Sequence, residues 1–252
     1  MEYLFYFILG LLPSLIWLSF YLKKDRHPEP NSMILKVFLY GMLLAPLAIL
    51  LEILLIWILD PSTNPLDFFS ETYQASVVTI VLSATLIPAL VEEYLKYSVV
   101  KIKILKNSVF DEPTDAMIYC IIAGLGFAAI ENLLILFKVN SPGFTQALSI
   151  MGLRFLGATL VHALASAIVG YWLAKGILFT QKRKKFILIG LTLAILFHSC
   201  YNYFIITIAE QTGSNQRLIL IFLTAILIIL TALTISYCFK KLRKQQSICK
   251  MN

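Results

Sequence analysis

The chain has 252 residues, 59% of them hydrophobic and 14% charged, against about 45–50% apolar and about 25% charged in soluble domains. That balance excludes an ordinary soluble domain and points to an integral membrane protein. The net charge of +7 does not point to nucleic acid, because the basic residues fall in short clusters between apolar runs, where they carry topology information.

Seven membrane spans are expected, at about 3–22, 34–59, 76–100, 115–138, 147–178, 186–209 and 217–239. The first run has no basic residue before it and no small-residue cleavage site after it, so it reads as an uncleaved span. Loop one (Lys23, Lys24, Arg26), loop three (Lys101, Lys103, Lys106), loop five (Lys182, Arg183, Lys184, Lys185) and the tail are basic. Loop two holds Asp60, Asp67 and Glu71 with no Lys or Arg, and loops four and six are nearly free of basic residues. Alternate loops are thus basic, which predicts an N-terminus outside and a C-terminus in the cytoplasm. The expected fold is an all-α polytopic transmembrane helix bundle, a single integral membrane domain over residues 1–252. The cysteines form no C-x-x-C pair; Cys120, Cys200 and Cys238 lie in apolar runs and Cys249 in the tail, so no disulfide framework is expected.

Span two contains Pro46, a possible kink, and Glu52, a lone carboxylate for which Arg154 is a candidate partner. Span three, L-S-A-T-L-I-P-A-L-V-E-E-Y-L-K-Y-S-V-V, holds Glu92, Glu93 and Lys96. Each charge at bilayer depth costs roughly 2.5–3.5 kcal/mol on insertion scales. Lys96 follows Glu92 by four residues and Glu93 by three, so it reaches either along one helix face. A structural ion pair is the bland reading; intramembrane ionisable groups are otherwise functional. Pro88 predicts a bent or locally unwound helix just before these carboxylates. Span four has Gly124 and Gly126, which let a neighbouring helix approach closely, then Phe127 and Glu131 on one face with Asn132 beside them. Span five carries Arg154, His162 and Ser166, and span six carries His198 and Asn202. Span seven has no charge between Arg217 and Lys240 and reads as a packing helix.

Counting residues from the loops brings Glu92, Glu93, Glu131, His162, His198 and Asn202 to similar depth on four spans. A lone buried His or Asn usually satisfies a neighbour, but this many groups at one depth predict a shared site. Carboxylates and imidazoles without a Cys nucleophile signature suit activated water. A Glu acts as general base, and a His or Asn donates to a developing oxyanion. Zinc held by Glu92, Glu131, His162 and His198 is a second reading, although no H-E-x-x-H motif is present. Ser166 beside His162 as a nucleophile is a weaker third.

The motifs in order are Y-L-K-K-D-R-H-P-E-P in loop one, E-E-Y-L-K at Glu92–Lys96, and D-A-M-I-Y-C-I-I-A-G-L-G-F-A-A-I-E-N at Asp115–Asn132. They continue with Arg154, H-A-L-A-S-A-I-V-G-Y from His162 and H-S-C-Y-N from His198. Together these resemble the PrsW family of intramembrane proteases, relatives of the CAAX prenyl endopeptidases. The resemblance implies an intramembrane peptidase in a bacterial plasma membrane, with catalytic spans at about 76–209. It implies that Glu92 activates water with Glu93 in support, and that His198 and Asn202 form the oxyanion site. Glu131 and His162 are the remaining catalytic positions, and Lys96, Phe127, Asn132, Arg154 and Ser166 support them. Glu131 stands where the wider superfamily has His, a departure that touches prenyl-peptide specificity. The resemblance further implies a single-pass membrane protein as substrate, such as an anti-sigma factor in envelope-stress signalling. The family has been described both as metallo- and as glutamate-type; activated water without a fixed metal is the expectation, with zinc as the alternative. A proton- or cation-coupled transporter would use the same residues as a relay, spread along the membrane normal rather than clustered. A non-catalytic scaffold would tolerate loss of the paired Glu or of H-x-x-x-N, and both are present.

Overall fold

The computed structural model describes residues 2–25, 27–59, 61, 82–138 and 143–245, and regular structure among them is helical throughout. Helices α1 (Glu2–Leu22) and α2 (Asn31–Leu59) come first. A π-helical turn, Leu82–Leu86, leads into α3 (Ile87–Lys103). Then follow α4 (Pro113–Lys138), α5 (Phe144–Leu156), α6 (Ala158–Leu178), α7 (Arg183–Glu210) and α8 (Ser214–Leu242). Among the described residues, six stretches are long and apolar enough to cross a membrane: Tyr3–Leu22, Asn31–Leu59, Pro113–Lys138, Phe144–Leu178, Thr180–Glu210 and Ser214–Leu242. The seventh expected span is the helical stretch from Leu82 to Lys103, which carries the charges. Its residues 76–81 lie outside the described residues, as do Arg26, Asp60, Asp67, Glu71 and Cys249.

Helix α4 is the interior post of the bundle. Every residue from Pro113 to Ala129 is buried, because small residues let its neighbours close in. A Cβ on Gly126 would run into the Phe38 carbonyl of α2, and one on Gly124 into Ser166 and the His162 carbonyl of α6. The expected close approach thus happens twice, once to each neighbour. The ends of the chain join the same core: Tyr21 of α1 stacks on Phe239 of α8 with ring centroids 6.2 Å apart. Large side chains such as Leu43, Leu50, Phe222 and Leu233 stay exposed, as lipid-facing positions do.

Two local breaks shape the interior. Pro88 sits in the first turn of α3, and its missing N–H takes one hydrogen bond out of the helical path that continues back through Leu82–Leu86. The π-helical turn precedes it, so the expected unwinding near Pro88 takes that form. The fifth expected span, 147–178, is not one helix: the chain breaks at Gly157 between α5 and α6. A side chain there would collide with the Tyr201 hydroxyl of α7, and the Trp17 indole N–H donates to the freed Phe155 carbonyl at 2.8 Å. Such a break at membrane depth holds only where protein satisfies the backbone.

Candidate active site

Lys96 stands at the centre of the polar interior. It is 2% exposed and its ammonium is saturated by three acceptors. Glu92 Oε2 lies at 3.0 Å, Glu93 Oε1 at 2.8 Å and His162 Nδ1 at 2.6 Å. The i,i+4 and i,i+3 spacings expected along α3 are both used. Phe127 of α4 closes the fourth side, with its ring centroid 4.4 Å from Nζ. An ammonium has no lone pair, so it fixes the histidine tautomer. His162 Nδ1 accepts, its Nε2 carries the hydrogen, and Nε2 donates to Glu131 Oε2 at 2.8 Å.

Glu131 is oriented from its other side by Arg154 Nη2 at 3.0 Å. Arg154 Nε donates to Asn132 Oδ1 at 2.5 Å, and Asn132 Nδ2 donates to Thr159 Oγ1 at 3.2 Å. Arg154 therefore pairs with Glu131, not with the Glu52 proposed for it from sequence. On α7, His198 Nδ1 donates to Glu93 Oε1 at 3.0 Å, which leaves Nε2 without a hydrogen bond among the described residues. The His162 and His198 rings meet edge to face, 5.0 Å between centroids. Helices α3, α4, α6 and α7 thus bring Glu92, Glu93, Glu131, His162 and His198 into one hydrogen-bonded cluster.

A cavity of about 1150 Å³ opens beside this cluster. Glu92, Glu131, His162, His198, Asn202 and Arg154 line it. Glu93 and Lys96 stand behind them, and Glu93 is 0% exposed with its Oε2 unpaired. The two adjacent glutamates are therefore not equivalent: Glu92 faces the cavity and Glu93 backs it. The lining runs over the second halves of α2, α4 and α7 and the first half of α8. The cavity thus occupies the half of the bundle that ends at Leu59, Lys138 and Glu210. Ser166 is neither on the cavity wall nor hydrogen-bonded to this cluster. It is buried against Gly124, and its hydroxyl has no hydrogen-bond partner. Sequence reading missed Thr159, which braces Asn132, and gave Glu52, which shares the cavity wall, only a structural pairing with Arg154.

One donor from each of Glu92, Glu93, His162 and His198 lies within 4.8 Å of the others. By type this set suits a zinc ion, with Glu93 rather than Glu131 as the second carboxylate. Lys96 already binds three of the four, however. An ion there would compete with the ammonium for His162 Nδ1, while Glu93 Oε2 and His198 Nε2 remain without a hydrogen bond among the described residues.

A second acidic group lies at the far end of α2 and α4. Asp25, Glu29 and Asp115 bring carboxylate oxygens within 4.8 Å of one another. Tyr119 donates to Glu29 at 2.5 Å, and the backbone N–H groups of Asp111 and Glu112 donate to Asp115 at 2.9 and 2.7 Å. His27 reaches Glu112. Burial, chiefly, raises the Glu29 carboxyl above the ordinary range, against the lowering effect of the Tyr119 hydrogen bond. The P-E-P segment of loop one is thereby fastened to the start of α4.

A many-spanning helical bundle with carboxylates and imidazoles gathered beside an internal cavity defines a membrane-embedded protein with an enzyme-like site. Residues 29–234 match the family described as PrsW family intramembrane metalloprotease, and the chain belongs to that family. It is 29% identical over 215 residues to the Protease PrsW of Geobacillus kaustophilus, covering 84% of each chain. It is 30% identical over 194 residues to the Protease PrsW of Oceanobacillus iheyensis, covering 77% of this chain and 80% of the relative. It is 29% identical over 200 residues to that of Clostridioides difficile, covering 78% and 77%. No solved structure matches the chain. Membership makes it a multi-pass membrane peptidase, with a protein as substrate and the lipid bilayer as its surroundings.

Proposed function

We propose that this chain hydrolyses a peptide bond in a single-pass membrane protein, using water activated by Glu92 and no fixed metal. The observation that carries this reading is the asymmetry of the glutamate pair: Glu92 lines the cavity, while Glu93 is sealed behind it and bound to Lys96 and to His198. Water held between Glu92 and the substrate carbonyl gives its proton to Glu92 as its oxygen bonds to the carbonyl carbon. The oxyanion receives a hydrogen bond from the Asn202 amide, and from His198 Nε2 when both ring nitrogens of His198 carry a hydrogen, Nδ1 being held by Glu93. As the C–N bond breaks, Glu92 returns the proton to the leaving nitrogen. His162, bonded at both ring nitrogens, and Arg154 are positioning residues that hold Glu131.

Lys96 supplies the fixed positive charge that a metal would otherwise bring to these carboxylates. The basic alternate loops orient the chain with its N-terminus outside, so the cavity faces the extracytoplasmic half of a bacterial plasma membrane. The shared core of α1 and α8 supports one catalytic unit over the whole chain. Family resemblance supports an anti-sigma factor as the substrate type.

The test is cleavage of a tagged single-pass reporter co-expressed with wild type, Glu92→Gln or Glu93→Gln. We expect Glu92→Gln, folded and abundant, to lose at least about 10²-fold in activity. Cleavage at the wild-type rate would remove Glu92 as the base. Wild-type cleavage should persist after extraction with a strong chelator; loss restored by zinc would overturn the metal-free reading.

A further inference from the structure

Glu52 is the carboxylate on the cavity wall that the chemistry above does not use. On α2, Ala45, Ala48 and Glu52 are buried and line the cavity together, so this face of the helix turns toward the site. Glu52 is 9% exposed and makes no hydrogen bond or ion pair among the described residues. The cations near it are committed elsewhere. Lys96 is saturated by Glu92, Glu93 and His162, and Arg154 holds Glu131 and Asn132. Arg217 also lines the cavity and forms no ion pair with Glu52. Lys96 and Arg154 are thus taken up by Glu92, Glu93 and Glu131, and Glu52 is left unpaired among the described residues. A carboxylate out of water without a partner is costly.

Glu52 also stands near the rim. It lies seven residues before the end of α2 at Leu59, or roughly 10 Å at 1.5 Å per residue. Basic side chains flanking an apolar segment extend toward the membrane surface while their stems stay in apolar surroundings. A membrane peptide with its scissile bond at Glu92 would carry such a residue past Glu52. We propose that Glu52 is a specificity residue that receives a lysine or arginine side chain of the substrate close to the scissile bond. This rests on the peptidase reading of Glu92.

The experiment separates binding from cleavage. Single-pass reporters differing only by Lys, Gln or Glu at positions scanned on either side of the cut are co-expressed with Glu92→Gln, which holds them uncut, and their retention on the purified protein is measured. At one position the Lys reporter should be retained at least about tenfold over the Gln reporter, as a partly desolvated charge pair supplies. Adding Glu52→Gln, which keeps shape and hydrogen bonding, should bring that ratio close to unity. Adding Glu52→Lys should favour the Glu reporter instead. A retention ratio unchanged by Glu52→Gln, or no preference for Lys at any scanned position, would overturn the proposal. Failure of the catalytic reading looks different: Glu92→Gln would keep cleaving, whatever the retention ratios.

Discussion

The two acidic clusters, at opposite ends of α2 and α4, contain similar residues and behave differently. In the loop-one cluster, Glu29 and Asp115 meet neutral donors, a tyrosine hydroxyl and backbone N–H groups. In the interior cluster the donors are charged or titratable: Lys96, Arg154, His162 and His198. The first fastens a loop. The second stands beside a cavity and keeps groups in reserve, among them His198 Nε2 and Glu92. Close spacing of carboxylates does not by itself mark a reactive centre; mobile protons and a space for substrate beside them do.

The largest test of this contrast is Lys96→Met. It strips Glu92, Glu93 and His162 of a shared donor, and breaking a buried pair costs about 3–5 kcal/mol. We expect a large fall in thermal unfolding temperature in detergent and loss of cleavage together; a fall in neither would mean the ammonium is dispensable. Tyr119→Phe probes the other cluster. It leaves the buried Glu29 carboxylate short of a donor, at about 1–3 kcal/mol, visible as a lower unfolding temperature. Cleavage per folded molecule should not change, and a drop in it would join loop one to the chemistry. The smallest effect belongs to Ser166→Ala. Removing a buried hydroxyl with no partner should be neutral or stabilise by up to about 1 kcal/mol, with cleavage unaltered. A loss of cleavage would reinstate Ser166 as a reacting group.

Much of the interior was legible from spacing alone. Glu92, Glu93 and Lys96 form a charged face in an apolar run, and Gly124 with Gly126 marks where helices must touch. What escaped was whatever depends on partners distant in sequence. The break at Gly157 is silent because the residues beside it, Phe155, Leu156 and Ala158, continue the apolar run, and the groups that tolerate it, Trp17 and Tyr201, lie on α1 and α7. Glu52 is one carboxylate on a long apolar helix, and periodicity cannot say whether that face meets lipid, protein or a cavity. Ser166 looks like a partner for His162 at one helical turn, yet the histidine turns to Lys96 and Glu131 while the serine faces Gly124.

The charges of α3 also bear on how the protein is made. Carrying Glu92, Glu93 and Lys96, this segment enters lipid alone at a cost of roughly 2.5–3.5 kcal/mol per charge, offset only in part by pairing along its own face. Its outside partners, His162 and His198, lie 66 residues beyond Lys96 and 105 residues beyond Glu93. A nascent chain that has emerged only as far as Lys103 has the pairing along α3 and its packing on α2, but not the imidazoles of α6 and α7. We therefore expect stable integration of α3 to follow the synthesis of α6 and α7, so that assembly of the site and completion of the transmembrane topology would coincide late in biogenesis.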